Sequence, residues 1–181
     1  MLVAALQRAM TDELPDAVRE AFEARDSYDL RDDRALVTTT AFDARVTVEA
    51  TEADWNSQYV VTVEVPTLSA AVEDVVGPAV EDGWFETLER RLEDAPMATR
   101  VNFELDAFEV RREDQRVEIT YAFTLGSESQ AADIAKTLVE YVEGTYVEGV
   151  VPGYDYRPPV VGLLDQAQSG DAAGERGGTP L

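Results

Sequence analysis

Two spacings of apolar residues alternate along this chain, one helical and one of period two, and their order lays out a fold. Leu14, Val18, Ala21 and Phe22 share one helical face. They predict a helix from Asp12 to about Ala24, with Thr11 or Asp12 as its cap and Pro15 in its first turn. The polar stretch Asp26 to Asp33 predicts a turn. Ala35 to Thr40 is rich in strand formers. From Phe42 to Glu49 the residues Phe42, Ala44, Val46 and Val48 alternate with Asp43, Arg45, Thr47 and Glu49. After a turn region over Glu52 to Ser57, Gln58 to Val65 places Val61, Val63 and Val65 on one side. This pattern reads as an antiparallel pair or a three-stranded meander.

Pro66 closes that strand, and Thr67 or Ser69 can cap a following helix marked by Leu68, Ala71, Val72, Val75 and Val76. Gly77-Pro78 interrupts it, and Trp84, Phe85, Leu88 and Leu92 restore the stripe to about Asp94. One kinked helix or two short ones are expected. Val101, Phe103 and Leu105 then share a face, after which the apolar parity switches to Phe108 and Val110. Such a switch within one strand predicts a bulge at Asp106 to Ala107. Arg111 to Arg116 forms a charged turn, and Val117, Ile119, Tyr121 and Phe123 alternate beyond it. Ser127, with Gln130 three residues on, fits a capping box. Ala131, Ile134, Ala135, Leu138, Val139 and Val142 make the buried stripe of the last long helix, which Gly144 is expected to end. Val160 to Ala167 fits one further turn.

The expected fold is therefore α+β. An antiparallel sheet of about five strands, in α-β-β-(β)-α-β-β-α order, carries helices mainly on one face. Residues 11–165 form one domain, and 166–181, rich in Gly, Ser, Asp, Ala and Glu, read as a disordered tail. Residues 1–10 read as an N-terminal extension. They form either a short extra helical turn or a stretch ahead of a natural start at Met10.

Charge changes the picture most. Thirty-seven Asp and Glu face fifteen basic residues, of which only Lys136 is a lysine, for a formal net charge of -22. Self-repulsion of that size strains a compact state in dilute buffer. In molar salt the Debye length falls to roughly 3 Å and the repulsion is screened. An acidic, arginine-based surface of this kind fits a protein working in concentrated salt. The 45% hydrophobic content and its periodicity separate the chain from acidic disordered sequences.

The chain contains no cysteine and no histidine. Disulfides, thiol nucleophiles, thiolate metal sites and imidazole proton transfer are thereby excluded. Zero cysteine is compatible with a reducing cytoplasm, the expected location. No run of 18 apolar residues is present, so no membrane span is expected. The glycines form no phosphate-binding fingerprint. Nucleic acid is not an expected partner, since the whole-chain field repels it and the Arg111, Arg112, Arg116 cluster is interleaved with Glu113 and Asp114. Carboxylate pairs occur at Asp32-Asp33, Glu73-Asp74, Glu81-Asp82 and Glu93-Asp94. With so many acids such pairs arise by chance, and a solvated surface explains them better than a site.

The segment Tyr154-Asp155-Tyr156-Arg157-Pro158-Pro159 is the most specific feature. Tyr154 and Tyr156 lie on one face of an extended chain that the prolines stiffen, and Tyr and Arg are favoured at binding hot spots. An arm that packs across the body and closes the core is the competing reading. Trp55, between Asp54 and Asn56 in the first hairpin turn, either anchors a partner or packs back on the sheet.

The acidic opening Thr11-Asp12-Glu13-Leu14-Pro15, the Asp/Glu-studded strands and the Tyr154-Asp155-Tyr156 loop resemble small acidic haloarchaeal proteins of unknown function, over residues 11–165. That resemblance brings no catalytic residues. The element order is similar to the type III secretion chaperone-like fold, whose members are small, acidic, often dimeric and bind polypeptides. The expectation is a non-catalytic protein-binding or chaperone-like module. It has no cofactor and no metal, and another protein or a second copy is its partner through Tyr154, Tyr156, Arg157 and Trp55. The alternative is a carboxylate-dependent enzyme using Tyr and Arg, with Mg²⁺ as a possible aid.

Overall fold

The computed structural model describes residues 13–174. The 1–10 extension lies outside them. A six-stranded sheet in the order β1-β2-β3-β4-β6-β5, antiparallel at every pairing, forms one layer. Its strands are β1 (Tyr28–Leu30), β2 (Ala35–Val37), β3 (Asp43–Ala50), β4 (Ser57–Pro66), β5 (Ala107–Glu113) and β6 (Arg116–Leu125). The helices are α1 (Asp16–Glu23), α2 (Leu68–Ala71), α3 (Pro78–Leu92), α4 (Glu128–Glu148) and α5 (Val160–Gly174), with a 3₁₀ turn over Ala95–Ala98. The α+β class is as expected, with one strand more.

Period-two alternation sorts the sheet into two faces. Ala44, Val46 and Val48 of β3, Tyr59, Val61, Val63 and Val65 of β4, and Val117, Ile119, Tyr121 and Phe123 of β6 are buried. They meet Val18 and Phe22 of α1 and the Ala131–Val142 stripe of α4 in a single core. Aromatic rings stitch the layers together. Tyr59 lies between Phe22 and Phe123, and Tyr146 of α4 meets Phe42 and Trp84 edge-on at 4.9 and 5.7 Å. The opposite face carries Arg45, Thr47, Glu49, Gln58, Val60, Thr62, Glu64, Glu118, Thr120, Ala122 and Thr124, aligned strand to strand.

Several expected boundaries move. The polar 26–33 stretch contains β1, whose Tyr28 turns inward and donates its hydroxyl to the Ala132 carbonyl. Only three residues long, it offers too little alternation to be seen. Residues 101–105 are extended coil, and the strand begins at Ala107. The parity switch at Asp106 is therefore the junction of two separately packed segments and not a bulge. Phe103 still packs edge-on against Phe123, which gave its segment a strand-like pattern. The first helix begins at Asp16, behind Pro15, and β2 ends at Val37.

Gly77-Pro78 divides α2 from α3, with Thr67 capping α2 through Ala70 N at 3.2 Å and Pro78 opening α3. Ser127 Oγ accepts from Gln130 N at 3.3 Å at the start of α4. That helix runs through Gly144 to Glu148 because Thr145 and Tyr146 beyond the glycine are buried. Helix α5 continues to Gly174, so residues 166–174 of the expected 166–181 tail are helical, and 175–181 lie outside the described residues.

Candidate functional site

The Tyr154–Pro159 segment crosses the pole of the molecule where β4 ends. Arg157 N donates to Ala71 O at 2.7 Å, Glu73 N to Asp155 O at 2.8 Å, and Asp155 N to Asp74 Oδ2 at 2.9 Å. Val72 and Tyr156 form an antiparallel bridge. The Tyr156 hydroxyl accepts from Val151 N and donates to Val151 O, each at 2.8 Å, and this loop contact together with burial holds the phenol. Burial is the larger influence on Tyr156 and raises its pKa. Arg157 is exposed and pairs with Glu73 at 3.0 Å. Tyr154 and Tyr156 are half-buried against the core. The segment thus closes the body and also forms one wall of a groove.

That groove has a volume of about 250 Å³. Phe42, Val65, Ala71 and Val160, all buried, supply its floor, with Pro66, Ala70 and the Pro158-Pro159 pair as walls. Asp43, Glu64 and Arg116 stand at its lip. Arg116 reaches Glu113 at 3.0 Å and Glu64 at 4.0 Å. Asp43 is exposed and pairs with no cation among the described residues. The groove is therefore apolar inside and acidic on one edge. Phe42, Ala70 and Ala71 are not legible in the sequence as site residues. Phe42 reads there as one more core position of an alternating strand, and nothing local announces that the chain returns at Pro158.

Trp55 is elsewhere. It is 75% exposed and lies over Gly126, where a Cβ would meet its carbonyl oxygen at 3.1 Å and its ring at 3.2 Å. A side chain at 126 would have to push Trp55 aside by a few tenths of an ångström. The ten residues of β4 separate Trp55 from the groove by roughly 30 Å, so Trp55 and the Tyr154–Arg157 segment do not form one surface.

Of the paired acids, Asp33, Glu73, Asp74, Glu81 and Asp82 have local partners. Asp33 binds Arg34, whose guanidinium hydrogen bond holds it below the usual carboxylate range. Asp82 binds Arg112 at 2.8 Å, and Glu81 accepts from Ser69 N and Oγ at 2.8 and 2.6 Å. Arg111 is held by Glu118, and Arg112 also stacks over Phe85 at 4.9 Å. Among the described residues no group of three or more acids is arranged to hold a metal ion. No helix among them is long and apolar enough to cross a membrane.

These features define an α+β protein with an open antiparallel sheet, helices on one side and a small apolar groove at one pole. The chain belongs to DUF5813, a family of unknown function, which it matches over residues 17–166. Comparison with curated proteins and with solved structures finds no match.

Proposed function

We propose that this protein is a non-catalytic, chaperone-like binding module of a salt-rich cytoplasm, and that the apolar groove at the pole of the molecule is where it takes another polypeptide. The groove supports this reading more than any other feature. Its walls are apolar and fixed by main-chain hydrogen bonds between the 155–157 strand and residues 71–73. Its volume suits one large apolar side chain. Asp43, which pairs with no cation among the described residues, favours a basic residue beside that apolar one. In molar salt the charged contact is short-ranged and apolar burial supplies most of the affinity. Tyr156 and Arg157 act from behind, by holding the wall in place.

A carboxylate enzyme needs acids converging in a cleft with shifted proton affinity. The carboxylates at the groove lip, Asp43 and Glu64, stand over an apolar floor with no polar group beneath them to receive a substrate. The test is cross-linked capture from an extract kept in molar KCl, comparing the natural chain with Ala70→Phe, which fills the groove from a half-buried position. Recovery of a polypeptide by the natural chain, lost with Ala70→Phe at unchanged melting temperature, is the expected result. Identical recovery by both, or none by either, contradicts the reading.

A further inference from the structure

We infer that the open edge of the sheet, strand β5, is a pairing edge at which two copies of this chain join antiparallel and continue one sheet into the other. This goes beyond the groove, none of whose lining residues lies on β5. The sheet ends in two edge strands. One, β1, is only three residues long and offers little to pair with. The other, β5, has seven residues, about 24 Å of backbone, and none of them is buried, whereas the inner strands β3, β4 and β6 are largely covered.

The hairpin fixes which main-chain groups are free. Its two-residue loop, Asp114-Gln115, makes Glu113 and Arg116 a hydrogen-bonded pair, and such pairs alternate along an antiparallel ladder. Ala107, Glu109, Arg111 and Glu113 therefore direct their N–H and C=O groups to β6. Those of Phe108, Val110 and Arg112 point away from it, and among the described residues nothing hydrogen-bonds to them there.

Side chains select the partner and the register. Charges on an edge strand ordinarily keep other strands away, by setting like against like. On β5 their order does the reverse. Two copies paired with Val110 opposite Val110 place each Glu109 opposite the second copy's Arg111 and each Phe108 opposite the second copy's Arg112. Within its own strand Arg111 reaches Glu109 only at 3.8 Å, and both side chains are open to solvent in part. In the same register the free N–H and C=O groups of 108, 110 and 112 meet their complements, as a two-fold axis requires. A pairing centred on Arg112 would set arginine against arginine, and one centred on Phe108 would leave the charged half of the strand unpaired. With two acids and two arginines β5 is neutral in a chain of net charge -22, so copies meet here without adding to their mutual repulsion. One strand pair of this length buries less than the roughly 1,200 Å² at which stable interfaces begin, so the dimer is transient and forms with rising concentration.

The test combines light scattering with amide hydrogen exchange on the full chain in molar KCl, in a concentration series reaching about 1 mM, the weak end of specific association. The mass is expected to rise toward twice 19.9 kDa. The amides of Phe108, Val110 and Arg112 should gain protection with concentration, while those of Glu109 and Arg111 stay as they are. Val110→Pro removes an open-edge N–H and no bond to β6, so it is expected to abolish the dimer and leave the melting temperature of the dilute protein unchanged. Glu109→Arg should weaken the dimer about fivefold, and adding Arg111→Glu should restore it, which keeps the register testable where Val110→Pro does not fold. A chain that stays monomeric at every concentration leaves this edge to some other strand and overturns the inference. So does a dimer whose added protection lies elsewhere, or one indifferent to Glu109→Arg. Ala70→Phe, in the groove, leaves this dimer as it is, so the two proposals fail independently.

Discussion

Glu49 is where the acidity of this chain works against its own fold. It is 7% exposed on β3, its carboxyl group makes no hydrogen bond or ion pair among the described residues, and burial raises its pKa. A carboxyl raised in the folded state stabilises the fold most when protonated, and that contribution is lost as pH climbs through the folded value. At neutral pH the ionised group is carried at a cost. Glu49→Gln is therefore expected to raise the melting temperature at pH 7 by roughly 1–4 °C. The gain should vanish below about pH 4, where the carboxyl is protonated in both states. Equal or lower stability of Glu49→Gln at pH 7 contradicts this account. Sequence shows Glu49 as one acid among thirty-seven in an alternating strand. Its burial depends on neighbours brought by β4 and is not written in its own segment.

Among the elements, helix α4 shows what periodicity conveys and where it stops. Its cap and buried stripe are legible from Ser127 to Val142. Its length is not, because Gly144 looks like a terminus. The helix continues because Tyr146 fills a slot between Phe42 and Trp84 and donates its hydroxyl to Pro66 O at 3.1 Å. Tertiary packing overrides a local propensity cost of about 1 kcal/mol. Gly144 is exposed, and a Cβ there meets nothing within 4 Å. Gly144→Ala is accordingly expected to stabilise the protein by about 0.5–1 kcal/mol in urea unfolding. A loss of stability would mean that something close-packed requires the glycine.

The same reasoning separates the strands that could be read from those that could not. Strands β3, β4 and β6 alternate over eight to ten residues and are plain in the sequence. Strand β1 has three residues, and residues 101–105 alternate because they lie edge-on over the core without pairing. The Tyr154–Pro159 segment stands out by composition, but most of the groove it walls is made by residues 41–71, more than eighty positions away, which no local pattern can announce.

Over the whole molecule, the charge of -22 is carried on a chain whose cations are largely already engaged, as at Arg25–Asp133, Arg45–Glu64 and Arg111–Glu118. Among the described residues, most of the remaining acids form no ion pair. Such surface pairs add little each, while the unbalanced surplus repels over distances that salt controls. The most direct measurement is the urea midpoint of unfolding as a function of KCl, from near salt-free buffer to several molar at constant pH. The midpoint should fall steeply as salt is removed, with the greater part of the loss below about 1 M. A midpoint that stays level, or rises, as salt is withdrawn would contradict the assignment of these carboxylates to brine.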